Sequence, residues 1–163
     1  LGAGILFLCL FAQRLSAQIT LPEVKIIAVS YKYLNAVDYK GEAQPVKLLQ
    51  QKAATYDVKN SEYYDDDYDG YFISFYIPKG KVLAAYDGKG KLLRTAEKYE
   101  NVKIPHAISE AVAKRFPQWS IAKEIYIINY YNSTNKAEKK YKLLLENGDK
   151  RIKIEANEKG ELN

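Results

Sequence analysis

The residues with the clearest capacity for chemistry are the aspartates of an acidic stretch in the first half of the chain. Asp65, Asp67 and Asp69 alternate along the sequence, and Gly70 follows them. This spacing matches the first half of a calcium-binding loop, in which alternating carboxylates converge on one hard cation and glycine permits a sharp turn. The pattern then departs from such a loop, because its twelfth position is Tyr76 instead of a bidentate glutamate. The stretch therefore predicts either a calcium site on the three aspartates or a solvated acidic loop.

Composition restricts the other kinds of catalytic chemistry. The single histidine, His106, would have to serve any Ser–His–Asp triad, and no nucleophile-elbow sequence accompanies it. Pairs of carboxylates transfer protons in many enzymes, but composition does not show that any two face each other across a cleft. We therefore predict that the protein is not an enzyme, and we assign no catalytic or cofactor-binding residue.

The first 17 residues have the pattern of a secretory signal peptide. An apolar run, residues 1–12, precedes a short polar stretch, and Ala17 supplies a small residue for cleavage. The run is shorter than the ~20 apolar residues that span a bilayer. We expect a mature domain of residues 18–163 that has no transmembrane segment and no cysteine, since Cys9 lies in the removed part. Export without disulfides predicts a secreted or periplasmic bacterial protein.

Alternating hydrophobicity predicts that β-strands dominate the mature chain. The predicted strands are residues 24–34, 71–77, 81–87, 92–99, 124–131, 140–146 and 151–156. Residues 71–77 are apolar on both faces, which predicts a central strand. Asn147 and Gly148 form the strongest short hairpin signal in the chain.

Two further stretches have helical spacing of their apolar residues. They are residues 45–56 and 105–116, and each begins with proline, which the first turn of a helix tolerates. Each helix would be short and apolar on one side, so it must lie on a sheet to be stable. The predicted fold class is therefore α+β, and two short helices would leave one sheet face open.

The two halves of the chain resemble each other, which predicts an internal repeat. The corresponding positions are Pro45 with Pro105, Asp87 with Asn157, Gly90 with Gly160, and Leu92 with Leu162. The offset is 60 residues at the prolines and 70 at the glycines, so we expect about ten extra residues in the polar loop 132–139. We predict two tandem copies of a short helix packed on an antiparallel sheet, with half-repeats at residues 24–94 and 95–163.

The second part of the chain has a distinctive order of motifs. It contains Asp87-Gly-Lys-Gly in residues 81–92, then Ile104-Pro105, a helix that ends at Phe116-Pro117, and finally Lys-Ile-Glu-Ala-Asn-Glu-Lys-Gly at residues 153–160. This order is similar to the PepSY-like family of small secreted or periplasmic bacterial domains. The pattern covers residues 82–163 well and residues 24–80 loosely.

The PepSY-like resemblance implies a β-lactamase-inhibitor-protein-like (BLIP-like) α+β fold and a module that binds proteins or peptides. Inhibition of a hydrolase is the role suggested for some relatives, and the resemblance implies no catalytic residue. Some similar exported chains are described as nicotinate-nucleotide adenylyltransferases, but the His-x-Gly-His motif of that class is absent, because His106 is the only histidine.

Tyrosine is unusually frequent, with 15 residues in the chain. Tyrosine suits half-buried strands and is also enriched at protein interfaces. We predict that an open sheet face rich in tyrosine and lysine binds a protein or peptide of the cell envelope. The candidate partner-binding residues are Tyr76, Tyr86, Tyr126 and Tyr130.

Two alternatives to this function follow from the charged residues. The first is a calcium-stabilised envelope protein in which the acidic loop 65–70 is the functional part. The second, nucleic-acid binding, would fit the net charge of +5. However, the lysines are spread along the predicted strands and no recognition helix or RNP-type motif occurs, so we predict no nucleic-acid partner.

Overall fold

A computed structural model describes residues 29–38 and 42–163 and has an α+β fold. Its helices are α1 (Tyr31–Val37), α2 (Gln44–Ala54) and α3 (His106–Arg115). Its strands are β1 (Gly70–Ile77), β2 (Gly80–Asp87), β3 (Leu92–Glu100), β4 (Ser120–Tyr131), β5 (Lys136–Asn147) and β6 (Lys150–Ala156). The expected signal peptide, residues 1–17, and residues 24–28 of the first expected strand lie outside the described part of the chain.

The six strands form one antiparallel sheet in sequence order, from β1 to β6. A two-residue loop joins β1 to β2, with Ile77 opposite Gly80. A second two-residue loop joins β5 to β6, and within it Gly148 has a φ of 57°, which glycine adopts without strain. The strands predicted between residues 71 and 156 and the hairpin at Asn147-Gly148 are therefore confirmed.

The position of β1 differs from the prediction. Residues 71–77 were expected to form a central strand, but β1 lies at one edge of the sheet. Phe72 and Tyr76 project from one side of it and are 66% and 69% exposed. The prediction is wrong because apolar residues on both faces of a strand indicate a central strand only when other elements cover both faces of the sheet.

Helices α2 and α3 confirm the two predicted helices. In α2, Pro45 lies in the first turn, and Leu49 and Ala53 are on the buried side. In α3, Pro105 directly precedes the first helical residue, and Ile108 and Val112 are buried. The helical spacing of apolar residues therefore identified the side of each helix that packs on the sheet.

Helix α1 replaces the end of the first predicted strand, so the strand prediction is wrong for residues 31–34. Tyr33 and Val37 lie one helical turn apart and are each 1% exposed. The ring of Tyr33 lies 5.2 Å from that of Tyr130 on β4. These tertiary contacts bury one side of a helix, and they outweigh the local alternation that favours a strand.

All three helices lie on the same side of the sheet, which we call the helix face. Helix α1 contacts β4 and β5, α2 contacts β1 and β2, and the start of α3 shares a cavity with Val46 and Tyr126. The core lies between these layers and includes Tyr71, Val82, Ala84, Tyr86, Tyr99, Tyr126, Ile128, Tyr130, Tyr141, Leu143 and Leu145. We call the opposite side of the sheet the open face.

A helix followed by three strands occurs twice in the described residues, as α2 with β1–β3 and as α3 with β4–β6. The hairpin of β4 and β5 spans 28 residues and that of β1 and β2 spans 18. The connection from helix to first strand is shorter in the second group, with four residues between α3 and β4 against fifteen between α2 and β1. The expectation of ten extra residues in the loop 132–139 is therefore wrong, because the length differences are distributed over the connection, the strands and the loop. That the halves are copies, and that the fold is BLIP-like, stay predictions.

The turns that follow β2 and β6 have the same hydrogen bonds. Oδ1 of Asp87 accepts from the backbone N–H groups two and four residues later, at 3.0 and 2.9 Å. Oδ1 of Asn157 accepts from the corresponding groups at 3.0 and 3.1 Å. Gly90 and Gly160 have φ values of 81° and 83° at equivalent positions. The two turns thus share a local geometry, but one follows the second strand of its group and the other follows the third, so they do not occupy matching places in the two halves.

Candidate partner-binding face

Only one of the four tyrosines predicted to bind a partner lies on the open face. Tyr76 is 69% exposed there, whereas Tyr86, Tyr126 and Tyr130 are at most 2% exposed on the helix face. The predicted exposure of these three is wrong, because strand alternation directs their side chains toward the helices. Their burial is tolerated when the phenol has a partner. For example, the Tyr86 hydroxyl donates to the carbonyl of Ala53 at 2.7 Å.

The buried tyrosines form part of the core packing. The rings of Tyr126 and Tyr141 stack with centroids 4.3 Å apart and an interplanar angle of 12°. Burial raises the pKa of the Tyr86, Tyr99 and Tyr126 phenols above the ordinary value, so these side chains stay neutral near pH 7. They stabilise the attachment of the helices to the sheet and do not contribute to the open face.

Glu97 on β3 is a buried carboxylate that sequence analysis missed. It is 2% exposed and accepts hydrogen bonds from the hydroxyls of Tyr33, Thr95 and Tyr99 at 2.8, 2.7 and 2.8 Å. Nε2 of Gln50 donates a fourth bond at 3.1 Å. Burial raises the pKa of Glu97, whereas these four donors lower it. The carboxylate therefore connects α1, α2 and β3 inside the core.

Glu42 is a second carboxylate near this cluster. Both of its carboxylate oxygens are buried, and no group in the described residues donates a hydrogen bond to them. Burial raises the pKa of Glu42 to about 7, and the negative charge of Glu97 adds to this change. The positive charge of Lys139 and the nearby Gln50 amide, which lies outside normal hydrogen-bond geometry, oppose it.

A cavity of about 260 Å³ lies beside Glu42, between the helix face and the start of α3. Tyr126 and Tyr141 line it together with His106. The His106 side chain is 90% exposed, and its Nδ1 lies 3.6 Å from Glu110 one helical turn later. This spacing is typical of a pair on a helix surface.

The three aspartates of the predicted calcium site do not converge. Among residues 29–38 and 42–163, no group of three or more His, Cys, Asp or Glu side chains is placed to hold a metal ion. Instead, Oδ1 of Asp65 accepts from the N–H of Asp67 at 3.0 Å, and the carbonyl of Asp65 accepts from the Tyr71 hydroxyl at 2.7 Å. The N–H of Gly88 donates to the carbonyl of Asp69 at 2.8 Å. The geometry is that of a solvated acidic loop that is tied to β1 and β2.

The open face carries an excess of positive charge. Nine basic strand residues project from it, against five carboxylates. The basic residues are Lys81, Arg94, Lys98, Lys123, Lys136, Lys140, Lys142, Arg151 and Lys153, and the carboxylates are Asp87, Glu100, Glu138, Glu146 and Glu155.

Three of these five carboxylates already have basic partners on the same face. Their closest ion pairs join Lys98 to Glu100 at 2.7 Å, Arg151 to Glu146 at 2.7 Å, and Lys140 to Glu155 at 3.2 Å. Hydrogen bonds from neighbouring lysines lower the pKa of Glu100 and Glu155, which keeps both ionised. The remaining lysines give this face its positive potential.

Large apolar side chains lie among the charges of the open face. Phe72 and Tyr76 are 66% and 69% exposed, and Leu83 and Tyr131 are each 41% exposed. The guanidinium of Arg94 lies 5.9 Å from the centre of the Phe72 ring. Phe72, Leu83, Arg94 and Tyr131 line a small hollow of about 120 Å³. Exposed aromatic and aliphatic groups with an arginine are typical of protein interfaces.

A larger groove crosses the part of the open face formed by β4, β5 and β6. Its volume is about 610 Å³. The apolar side chains of Ile125 and Leu144 line it together with the basic side chains of Lys123, Lys142 and Lys153. This lining suits a segment that carries acidic groups next to apolar ones.

Neither the scan against protein-family models nor the search of curated proteins found a match to this chain. In the described part of the chain, none of the helices combines the length and apolarity needed to span a bilayer.

Proposed function

We propose that this chain is an exported, non-catalytic binding module of the bacterial cell envelope. In this proposal it recognises an acidic protein or peptide segment through the open face, as an inhibitor-like member of the PepSY-like group. The observation that carries the proposal is the combination, on one face without a helix layer, of excess basic charge and exposed apolar side chains.

The two kinds of side chain on the open face have complementary roles in binding. Phe72, Leu83 and Tyr131 offer apolar area that a partner would bury, and such anchors contribute most of the affinity in protein interfaces. The lysines around them attract an acidic partner and orient it before contact. Because three of the five open-face carboxylates are in ion pairs, they repel an acidic partner less than free carboxylates would.

The proposal is tested by quantitative affinity capture from a native cell-envelope extract with three forms of the chain. The open-face variant carries Lys81→Glu, Lys153→Glu and Tyr131→Ala. The control variant carries Lys52→Glu, Lys114→Glu and Tyr31→Ala, which makes the same change in charge and aromatic content at exposed helix positions. We expect the wild type and the control to retain the same partner, and the open-face variant to lose at least tenfold in affinity, or about 1.4 kcal/mol.

Salt dependence provides a second readout of the same interaction. If acidic groups of the partner meet the lysines, raising the ionic strength should weaken capture by the wild type. Equal capture by the open-face variant and the control would contradict the proposal, as would a captured partner whose bound segment is not acidic.

A further inference from the structure

We propose that two copies of this chain associate by antiparallel pairing of β1 with β1. The two six-stranded sheets would then form one continuous sheet of twelve strands. This inference does not depend on the proposed function, because it concerns the edge of the sheet and leaves both open faces on the same side of the combined sheet.

Within residues 29–38 and 42–163, strand β1 lacks the protection that edge strands usually have. Among the described strands it is the only one without a charged residue, and it contains no proline. Natural sheets discourage edge-to-edge pairing with lysines, prolines, bulges or covering segments. The eight-residue β1 runs without a register shift along β2, so its outer edge is regular enough to accept another strand.

The opposite edge of the sheet is protected. Strand β6 carries Lys150, Arg151, Lys153 and Glu155. A bridge joins Ala156 to Leu162, and Asn163 exchanges two backbone hydrogen bonds with Glu155 at 2.9 and 3.2 Å. The contrast between the two edges indicates that β1 is the edge on which a second chain pairs.

The backbone groups available on the edge follow from the pairing with β2. The carbonyl of Asp69 accepts from Gly88, which places the groups of odd-numbered residues toward β2. The N–H and C=O groups of Phe72, Ser74 and Tyr76 therefore point outward. A second β1 can exchange ladder hydrogen bonds with these three residues.

The sequence of β1 is self-complementary about Ser74. With Ser74 opposite Ser74 of the second copy, Phe72 lies opposite Tyr76 and Ile73 lies opposite Phe75, so apolar groups meet apolar groups. The charged residues Asp69 and Lys79 lie outside β1, and Lys79 turns toward β3, where its carbonyl accepts from the N–H of Glu100 at 2.8 Å. This register therefore pairs apolar side chains on both sides of Ser74.

Exposed aromatic residues surround the same edge. Tyr63 and Tyr68 are 60% and 56% exposed. They line a hollow of about 430 Å³ together with the first part of β1, residues 70–74. Tyr63, Tyr68, Phe72 and Tyr76 thus supply apolar area beside the edge for contact with a second copy, which is the composition expected of an interface.

The association is tested by sedimentation velocity of the full chain over a range of concentrations. We expect the wild type to shift from monomer to dimer as its concentration rises. Ser74→Lys and Ser74→Glu each place like charges opposite each other at the symmetry axis, so each variant alone should dimerise at least tenfold more weakly. An equimolar mixture of the two variants should form dimers again, because opposite charges then face each other.

Two further measurements control for the added charge and test the proposed register. Ser133→Lys, at an exposed position in the β4–β5 loop, is the control for added charge and should dimerise like the wild type. Phe72→Lys should weaken the dimer, and adding Tyr76→Glu to it should restore the dimer if the register is correct, because each new lysine then lies opposite a new glutamate. A wild type that stays monomeric at all concentrations would overturn the proposal, and so would a mixture of Ser74 variants that associates no better than either variant alone.

Discussion

Glu42 and Glu97 show how the consequence of burying a carboxylate depends on its hydrogen-bond donors. Glu97 has three hydroxyls and one amide directed at it, which compensate for its removal from water. Glu42 has buried oxygens that accept no hydrogen bond of normal geometry in the described part of the chain. We therefore expect ionisation of Glu42 to destabilise the folded state.

The stability of the protein should depend on the protonation of Glu42. Its pKa is raised from 4.5 to about 7 in the folded state. Below pH 4.5 the group is protonated in both states and has no effect; as the pH rises toward 7, the unfolded chain loses the proton first, so the free energy of unfolding falls. Glu42→Gln should remove this fall and be more stable than the wild type at pH 8.

The expected gain for Glu42→Gln at pH 8 relative to pH 5 is about 1–2 kcal/mol. This is less than the full shift would give, because part of the side chain still contacts solvent. Urea unfolding of both proteins at the two pH values measures the difference. Glu138→Gln, at an exposed position of β5, is the control and should show no such difference. Equal pH dependence of Glu42→Gln and the wild type would refute this account.

At the scale of turns and strands, Gly160 connects the C-terminal turn to α3. Its φ is 83°, and a Cβ atom there would lie 2.5 Å from the carbonyl oxygen of Ala107. Gly148, in the β5–β6 loop, has a φ of 57° and no atom within 4 Å of an added Cβ. The two glycines share the unusual backbone conformation, but only Gly160 also lacks space for a side chain.

We expect Gly160→Ala to lower the free energy of unfolding by about 3 kcal/mol, since strain and a backbone clash add together. Gly148→Ala should lower it by about 1 kcal/mol, from the conformation alone. Chemical denaturation of both variants measures the two values. Similar losses for the two variants would show that the contact with Ala107 is not important.

The elements that could be predicted from the sequence are those in which a few neighbouring residues favour one backbone conformation. Asn147-Gly148 favours a two-residue hairpin, and the prolines at the starts of α2 and α3 mark helix beginnings. Residues 31–34 have no such signal, and their alternation fits a strand until Tyr33 packs against Tyr130. The error at α1 therefore comes from a tertiary contact that a local pattern does not contain.

The candidate site was harder to predict, because strand alternation defines two faces without saying which one is buried. Along β4, Tyr126 and Ile128 alternate with Ile125 and Ile127, so both faces are apolar. The helices cover the tyrosine side, which explains why Tyr126 and Tyr130 are buried and do not lie on the open face. Glu97 was missed for a related reason, since a lone glutamate in a strand gives no indication that four donors surround it.

At the scale of the whole molecule, the halves share one sheet through the pairing of β3 with β4. Residues 94–100 lie in continuous register with residues 125–131. Because strands of both halves are joined by this ladder, we expect the described part of the chain to unfold as one cooperative unit.

Cooperativity is tested by weakening the first half and observing the second. Leu49 on α2 is fully buried, so Leu49→Ala should lower the free energy of unfolding by about 2–5 kcal/mol. Trp119, the only tryptophan, lies just before β4, and its fluorescence should show the same lowered denaturation midpoint as circular dichroism. Leu48→Ala, at a 53% exposed neighbouring position, is the control and should leave both midpoints nearly unchanged. A Trp119 midpoint unaffected by Leu49→Ala would show that the halves unfold separately.

The sequential order of the strands has a consequence for the route by which the chain folds. Hairpins such as β1–β2 and β4–β5 close over short loops, and local contacts of this kind form rapidly. Residues 101–119, which include α3, separate β3 from β4, and they are the longest connection between paired strands in the described sheet. We therefore expect the hairpins to form early and the joining of β3 to β4 to be the slow kinetic step.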